Sequence, residues 1–133
     1  MPFVRISISA NFSDDVARSV ADGVHAALVG TIDVPPGDRF QVVTRHAASE
    51  MIWDRAYLGV DRSDDAVFVQ IFLAEGRSDD KKRALYASIV TNVTAGGFVR
   101  PQDVLIVLNE NPRVNWSFGN GIAHYVPGSV HPS

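Results

Sequence analysis

The chain has 133 residues, 46% hydrophobic and 20% charged, which is enough apolar material for one folded domain and excludes a disordered tail. Twelve basic and 15 acidic residues give a net charge of −3, which argues against a nucleic-acid partner, and the lack of cysteine excludes disulfides and thiolate chemistry. No apolar run reaches the roughly 20 residues that cross a bilayer, so we expect a soluble cytoplasmic protein with no membrane partner.

An internal repeat organises the sequence. When the chain is shifted by 65 residues against itself, 11 positions between residues 3 and 43 are identical without a gap, where chance would give roughly two or three. The aligned segments include Phe3-Val4-Arg5-Ile6 over Phe68-Val69-Gln70-Ile71, identical at three of four positions, and Ser13-Asp14-Asp15 over Ser78-Asp79-Asp80. We interpret the chain as one domain built from two tandem copies, about 2–45 and 67–109, with a connection at 44–66 and an extension at 110–133.

The first copy has the pattern of a strand, a helix and a second strand. Residues 3–9 are rich in β-branched and aromatic side chains, which strands favour. Ser13 is a natural helix N-cap, and the two aspartates after it suit the positive end of the helix dipole. The helix has apolar residues at i, i+4 spacing: Val16, Val20, Val24 and Leu28. The Pro35-Pro36-Gly37 cluster ends this helix before a strand predicted at 39–45.

The second copy repeats the pattern. Residues 67–74 read as a strand, and Ser78 is the N-cap of a second helix that is followed by two aspartates. The buried stripe of this helix consists of Leu85, Ile89 and Val93. The helix ends at Thr94-Ala95-Gly96-Gly97, and a final strand is predicted at 103–109.

Two such units define a fold class. A strand–helix–strand unit of about 40 residues makes a parallel strand pair, so two units predict an α+β fold with a four-stranded sheet and two helices on one face. The strand at 103–109 is largely apolar on both faces, as is most of 67–74. Because the sequence provides no third layer, we expect another subunit to cover the second face of the sheet, and therefore a homo-oligomer.

Pro2 is the most suggestive residue for chemistry. An initiator methionine is normally removed before a proline, which would leave Pro2 with a free secondary amine, and the ordinary pKa of an α-amino group is about 8. Such an amine can act as a base, as an acid when protonated, or as a nucleophile that forms an iminium with a carbonyl. The alternative is a proline that is simply tolerated at the start of an edge strand.

A duplicated strand–helix–strand unit that begins Met-Pro resembles the tautomerase superfamily, whose members use an amino-terminal proline. Within it, the chain resembles the branch that contains malonate semialdehyde decarboxylase, from Pro2 to about Tyr125. The stretches that carry the match are 36–46, Tyr57-Leu58-Gly59 with Arg62-Ser63, 82–86 and Asn115-Trp116-Ser117-Phe118-Gly119-Asn120-Gly121-Ile122-Ala123. The resemblance implies a tautomerase-like fold with a mixed sheet, a homotrimer, and a small oxo acid as substrate, with no metal or organic cofactor.

The resemblance also assigns roles to three residues. Pro2 matches the catalytic proline, and Asp38 matches an aspartate that interacts with the proline or activates water; alternatively Asp38 is a turn residue, like its repeat mate Asp103. The decarboxylase has two arginines at the end of its third strand, where this chain has only Arg77. Arg77 can bind a substrate carboxylate with its planar guanidinium, or it is a solvated residue just before the Ser78 cap.

Two aromatic residues match pocket walls of the family. Trp116 and Phe118 are therefore predicted to bind substrate, although generic aromatics in these positions would more often belong to a core or a subunit interface.

The histidines carry weaker signals. His25 falls on the first predicted helix and is expected to be structural, and His46 follows a predicted strand and can border the pocket. His124 and His131 lie near the C-terminal tail and form no spacing typical of a metal site.

These observations predict an enzyme that acts on a small oxo acid by acid–base chemistry. The reaction is keto–enol tautomerisation, or decarboxylation or hydration of the kind catalysed by malonate semialdehyde decarboxylase. The alternative from another class is a catalytically inactive oligomer that keeps the fold and serves as a binding or structural protein.

Overall fold

A computed structural model describes residues 2–126 and Gly128. The strands and helices, in chain order, are β1 (Phe3–Ser9), α1 (Asp14–Ile32), β2 (Phe40–His46), β3 (Val67–Ala74), α2 (Asp79–Thr94) and β4 (Val104–Asn111). A short 3₁₀ helix follows the second strand of each half. The two helices are Ala48–Glu50 and Arg113–Asn115, and their positions differ by 65 residues.

The four strands form one mixed sheet in the order β2-β1-β3-β4. The pairs β1–β2 and β3–β4 are parallel, and the central pair β1–β3 is antiparallel. In this central pair Arg5 lies opposite Gln70, and these two residues are themselves 65 positions apart. The register of the central strands therefore places the two halves about an approximate two-fold axis. The predicted α+β fold, with two helices and a four-stranded mixed sheet, is confirmed.

Strands β2 and β4 each begin one residue later than the sequence predicts, and they end one and two residues later. The start of β4 is delayed because Asp103 closes a 3₁₀ turn, where its carboxylate accepts hydrogen bonds from the N–H and Oγ of Ser63 at 2.7 and 2.6 Å. The end of β4 lies two residues later than predicted because its hydrogen-bonded ladder with β3 continues to the pair Ala74–Asn111.

The core lies between the helices and one face of the sheet. Alternate residues of the central strands point into it and are fully buried: Val4, Ile6, Ile8, Val67, Val69, Ile71 and Leu73. The predicted apolar stripes of both helices supply most of the other side, including Val20, Val24, Leu28, Leu85, Ile89 and Val93. Burial of each such side chain contributes about 1.5–3 kcal/mol of hydrophobic free energy, so this layer holds the sheet and helices together.

The caps of the two helices agree with the sequence. The Oγ atoms of Ser13 and Ser78 accept hydrogen bonds from the backbone N–H of Val16 and Lys81, each at 3.2 Å. Helix α1 ends before the proline cluster, because Asp33 adopts a left-handed conformation with φ of 61° and its N–H bonds to the carbonyl of Leu28.

In the part of the chain that the structure describes, no helix covers the opposite face of the sheet. This face carries exposed apolar side chains on the two edge strands, Phe40 and Val42 on β2 and Leu105 and Val107 on β4. Neither helix in the described part of the chain is long and apolar enough to span a membrane.

Candidate active site

One end of the sheet collects most of the residues that the sequence singles out. Because β1 and β2 are parallel and β3 is antiparallel to β1, Phe3 lies opposite both Phe40 and Phe72. The N-termini of β1 and β2 therefore meet the C-termini of β3 and β4 at this end, which we call the Pro2 end. Pro2, Asp38 and Arg77 all lie within three residues of a strand terminus there.

An aromatic cavity of about 200 Å³ opens at the Pro2 end. It is lined by Phe3, Phe40, Trp116, Ser117 and Phe118. The ring of Phe118 stacks on Trp116 with centroids 5.7 Å apart and tilts against Phe40 at the same distance. The indole Nε1 of Trp116 donates a hydrogen bond to the side chain of Asn111 at the end of β4, which fixes the orientation of the wall. Pro2 precedes Phe3 and is buried.

Asp38 is half-buried in a turn that leads into β2. Its backbone N–H donates to the carbonyl of Pro35 at 2.9 Å. The turn is tied to α1 by His25, whose Nε2 donates to the carbonyl of Pro36 at 2.8 Å. His25 therefore has the structural role that the sequence predicts, and it anchors the segment that positions Asp38.

The residue after Asp38 is held separately. Arg39 donates from Nη2 to the carboxylate of Asp22 on α1 at 2.6 Å. This hydrogen bond lowers the pKa of Asp22, while the partial burial of its carboxylate acts in the opposite direction. Both sides of the turn are thus fastened to the same helix.

Arg77 lies at the Pro2 end but does not line the aromatic cavity. It is half-buried and donates from Nη1 to the carbonyl of Ala74 at 2.8 Å. It lines a neighbouring groove of about 420 Å³, which we call the cationic groove, together with Lys81 and Arg113. Gly76, with φ of 123°, makes the turn between β3 and Arg77, a conformation that favours glycine.

Tyr125 is a residue that sequence reasoning missed. Its ring packs edge-to-face on Phe118, with centroids 5.0 Å apart. Burial raises the pKa of the Tyr125 phenol, although the positive charges of Arg77 and Arg113 act in the opposite direction. Tyr125 therefore contacts the aromatic cavity and lies within electrostatic range of the arginines of the cationic groove, and its hydroxyl stays protonated at neutral pH.

The remaining histidines are not placed beside Pro2. His46 pairs with Ser9 at the far end of β1, about 20 Å away at about 3.3 Å per residue, and lines a different cavity of about 400 Å³. The interpretation that His46 borders the Pro2 pocket is therefore wrong. His124 accepts a hydrogen bond at Nδ1 from the N–H of Phe118 at 3.1 Å, and His131 lies outside the described residues. In that described part, no three His, Asp or Glu side chains are grouped so that they could hold a metal ion.

Comparison with known proteins gives the same family throughout. A family model described as "Tautomerase enzyme" matches residues 38–119. The probable tautomerase YusQ of Bacillus subtilis (strain 168) is 35% identical over 126 residues, which covers 95% of this chain and 99% of the relative. The relative YrdN of the same organism, also a probable tautomerase, is 26% identical over 130 residues, 98% of this chain and all of the relative.

Solved structures agree with these relatives. A crystal structure of FG41 malonate semialdehyde decarboxylase inhibited by 3-bromopropiolate is 38% identical, covers 95% of both chains and has a TM-score of 0.89. A second malonate semialdehyde decarboxylase, described with decarboxylase and hydratase activities, is 29% identical with a TM-score of 0.86 and covers 92% of this chain and 95% of the other. A fused 4-OT, solved as a symmetric trimer, shares the fold with a TM-score of 0.74. It is 18% identical, and the match covers 97% of this chain and 94% of the 4-OT chain.

Two paired β-α-β units with both helices on one face define the class as a tautomerase fold. The chain belongs to the tautomerase family, in the branch of the superfamily that includes malonate semialdehyde decarboxylase.

Proposed function

We propose that the protein is an amino-terminal-proline enzyme that acts on a small oxo acid by acid–base chemistry, without metal or organic cofactor. The observation that carries the proposal is the position of Pro2, which is buried directly before Phe3, a wall of the aromatic cavity. This position occurs in a chain that is 38% identical to a malonate semialdehyde decarboxylase over 95% of both lengths.

Each candidate residue has a chemical role in this proposal. Arg77 binds the substrate carboxylate, since a guanidinium matches a carboxylate with paired donors. Trp116 and Phe118 surround the reacting carbon atoms and exclude water, which strengthens electrostatic interactions within the site. Asp38 sets the charge of Pro2, because a nearby carboxylate favours the protonated amine whereas apolar surroundings favour the neutral one.

The protonation state of Pro2 selects between the two reactions. A neutral Pro2 nitrogen takes the proton of an enol oxygen and returns a proton to the α-carbon, which completes keto–enol tautomerisation. A protonated Pro2 instead donates a hydrogen bond to the carbonyl oxygen of a 3-oxo acid. The bond to the carboxylate carbon then breaks, carbon dioxide leaves, and the electron pair remains in the enolate.

A pH–rate profile separates these reactions. A catalytic base with an apparent pKa of about 6 supports tautomerisation, and a catalytic acid with an apparent pKa of about 9 supports decarboxylation or hydration.

The test of the proposal is a substrate panel of enol-pyruvates, 3-oxo acids including malonate semialdehyde, and acetylenic oxo acids. We expect turnover of at least one class by wild type and a loss of roughly 100-fold or more in the Pro2→Ala variant. Wild-type rates in that variant would sink the proposal. Absence of all turnover, with Met1 retained in the mass of protein from its native host, would favour the inactive binding protein instead.

The same proposal includes a homotrimer. The face of the sheet opposite the helices exposes Phe40 and Leu105 by 45% and 40% on its two edge strands, and a fused 4-OT that shares the fold is a symmetric trimer. A neighbouring copy would bury this surface, which water otherwise contacts at a free-energy cost of about 25 cal/mol per Å².

A further inference from the structure

The cationic groove concentrates positive charge beside the aromatic cavity. Arg77, Lys81 and Arg113 line it together with two carboxylates, Asp33 and Glu75. Asp33 forms an ion pair with Lys81, in which the Nζ of Lys81 lies 3.0 Å from the Oδ2 of Asp33. Two arginines therefore line the groove with one remaining carboxylate, and among the described residues the side chain of Arg113 makes no hydrogen bond or ion pair, whereas its carbonyl accepts from the N–H of Trp116 at 3.4 Å. Like charges held together in this way repel each other unless an anion lies between them.

The internal repeat offers a comparison within the same chain. At an offset of 65, the three cations of the groove correspond to uncharged side chains at the far end of the sheet: Phe12 for Arg77, Val16 for Lys81 and Ala48 for Arg113. The 3₁₀ helices Ala48–Glu50 and Arg113–Asn115 keep this offset in the structure. These three cations are thus specific to the Pro2 end and are not part of the repeated pattern.

Tyr125 connects the groove with the aromatic cavity. Its ring contacts Phe118, which is a wall of the cavity, at 5.0 Å. The charges of both Arg77 and Arg113 act on its phenol. Arg113 also begins the 3₁₀ helix that directly precedes Trp116, another wall of the cavity. A carboxylate beside Tyr125 would therefore be attracted by both guanidinium groups, and the Tyr125 hydroxyl can donate a hydrogen bond to it.

We propose that Arg113 is a substrate-binding residue that pairs with Arg77 to hold the carboxylate of a small oxo acid, whose carbonyl carbon lies in the aromatic cavity. This inference rests on the proposed function for the identity of the ligand. The segment after β3 has one arginine, Arg77, and Arg113 of the segment after β4 would be the second arginine of the site.

The variants Arg113→Ala and Arg113→Lys test the site, and Arg83→Ala is the matched control, since Arg83 is an exposed arginine of α2 that pairs only with Asp80 among the described residues. With the best substrate of the panel, Arg113→Ala should raise KM by about 10- to 100-fold, as expected for charge-assisted hydrogen bonds, and change kcat far less. Arg113→Lys should recover part of the loss, and Arg83→Ala should match wild type. An unchanged KM in Arg113→Ala overturns the inference.

Equilibrium binding separates this site from the chemistry. In an NMR titration with propionate and its neutral analogue propionamide, wild type and Pro2→Ala should bind propionate, and Arg113→Ala should bind it at least 10-fold more weakly. Arg113-dependent binding of propionate without any turnover would support the site and contradict the proposed function. Turnover that requires Pro2, together with equal propionate binding by wild type and Arg113→Ala, would support the proposed function and contradict the Arg113 site.

Discussion

Asp38 and Asp103 occupy equivalent positions in the two repeats but have different surroundings. Asp103 is 2% exposed and accepts two hydrogen bonds from Ser63, which ties the connection between the repeats to the start of β4. Asp38 is half-buried at the Pro2 end, in a turn that is fastened to α1 through its neighbours. The same residue type thus ties the connection to the start of β4 in one copy and lies in the turn at the Pro2 end in the other.

This contrast predicts opposite effects of two substitutions. Asp103→Ala removes both acceptors and leaves the partly buried N–H of Ser63 without this partner, so the free energy of unfolding should fall by about 2–3 kcal/mol. Asp38→Ala should reduce activity on the best substrate while it lowers stability by less than about 1 kcal/mol. Urea denaturation at one fixed chain concentration, with activity assays on both variants, measures the two effects. Equal losses of stability would contradict the division of roles.

At the scale of the elements, the two helices pack closely where α1 has a glycine. A Cβ placed on Gly23 would lie 3.1 Å from the Cβ of Asn92 and 3.3 Å from its backbone carbonyl carbon. The side chain of Asn92 also donates from Nδ2 to the carbonyl of Gly23 at 3.0 Å. The absence of a side chain therefore lets the helices approach and form this bond.

Gly30 provides a control on the same helix, because a Cβ there would meet no atom within 4 Å. Gly30→Ala should raise the free energy of unfolding by about 0.5–1 kcal/mol through helix propensity alone. Gly23→Ala gains the same propensity but must push α2 away, so we expect a net loss of about 1–2 kcal/mol. Thermal and urea unfolding of both variants check the signs. A stabilised Gly23→Ala variant would show that the helix contact is not tight.

Element types and the parallel strand pair within each unit could be predicted from the sequence, but the exact ends of the strands could not. The strands, the serine caps and the apolar helix stripes follow from side-chain periodicity and capping chemistry. The extra length of β4 depends on its ladder with β3, whose last pair is Ala74–Asn111, and the delayed start depends on a hydrogen bond from Ser63, 40 residues away. Contacts between residues so far apart leave no local signal.

At the scale of the whole molecule, the approximate two-fold symmetry of the sheet gives it two similar ends, of which one has Pro2. The residues predicted for the site lie at this end because β1 and β2 start there and β3 and β4 finish there. Arg77, Trp116 and Phe118 could be proposed from the sequence because they follow predicted strands in recognisable motifs. The contact of Tyr125 with Phe118 and the place of Arg113 beside Arg77 could not, since they depend on how the chain after β4 packs.

The uncovered sheet face predicts how the chains associate. Val107, which is 43% exposed on the outer face of β4, should lie in the subunit contact of the proposed trimer. Val107→Asp should place an unpaired charge there and reduce the mass in sedimentation equilibrium about threefold, to that of a monomer. Ala87→Asp, at an exposed position of α2, should leave the mass unchanged. A wild-type chain that sediments as a monomer would contradict the proposed assembly.

The central claim is that the secondary amine of Pro2 is the reacting group. A lysine inserted between Met1 and Pro2 prevents removal of the methionine and leaves the nitrogen of Pro2 in a peptide bond, where it has no basic lone pair. The decisive measurement is kcat/KM on the best substrate of the panel for this variant and for wild type, after intact mass has established the first residue of each. We expect kcat/KM of this variant to be lower than that of wild type by roughly 100-fold or more. Equal values of kcat/KM in a chain whose Pro2 nitrogen is blocked would contradict it.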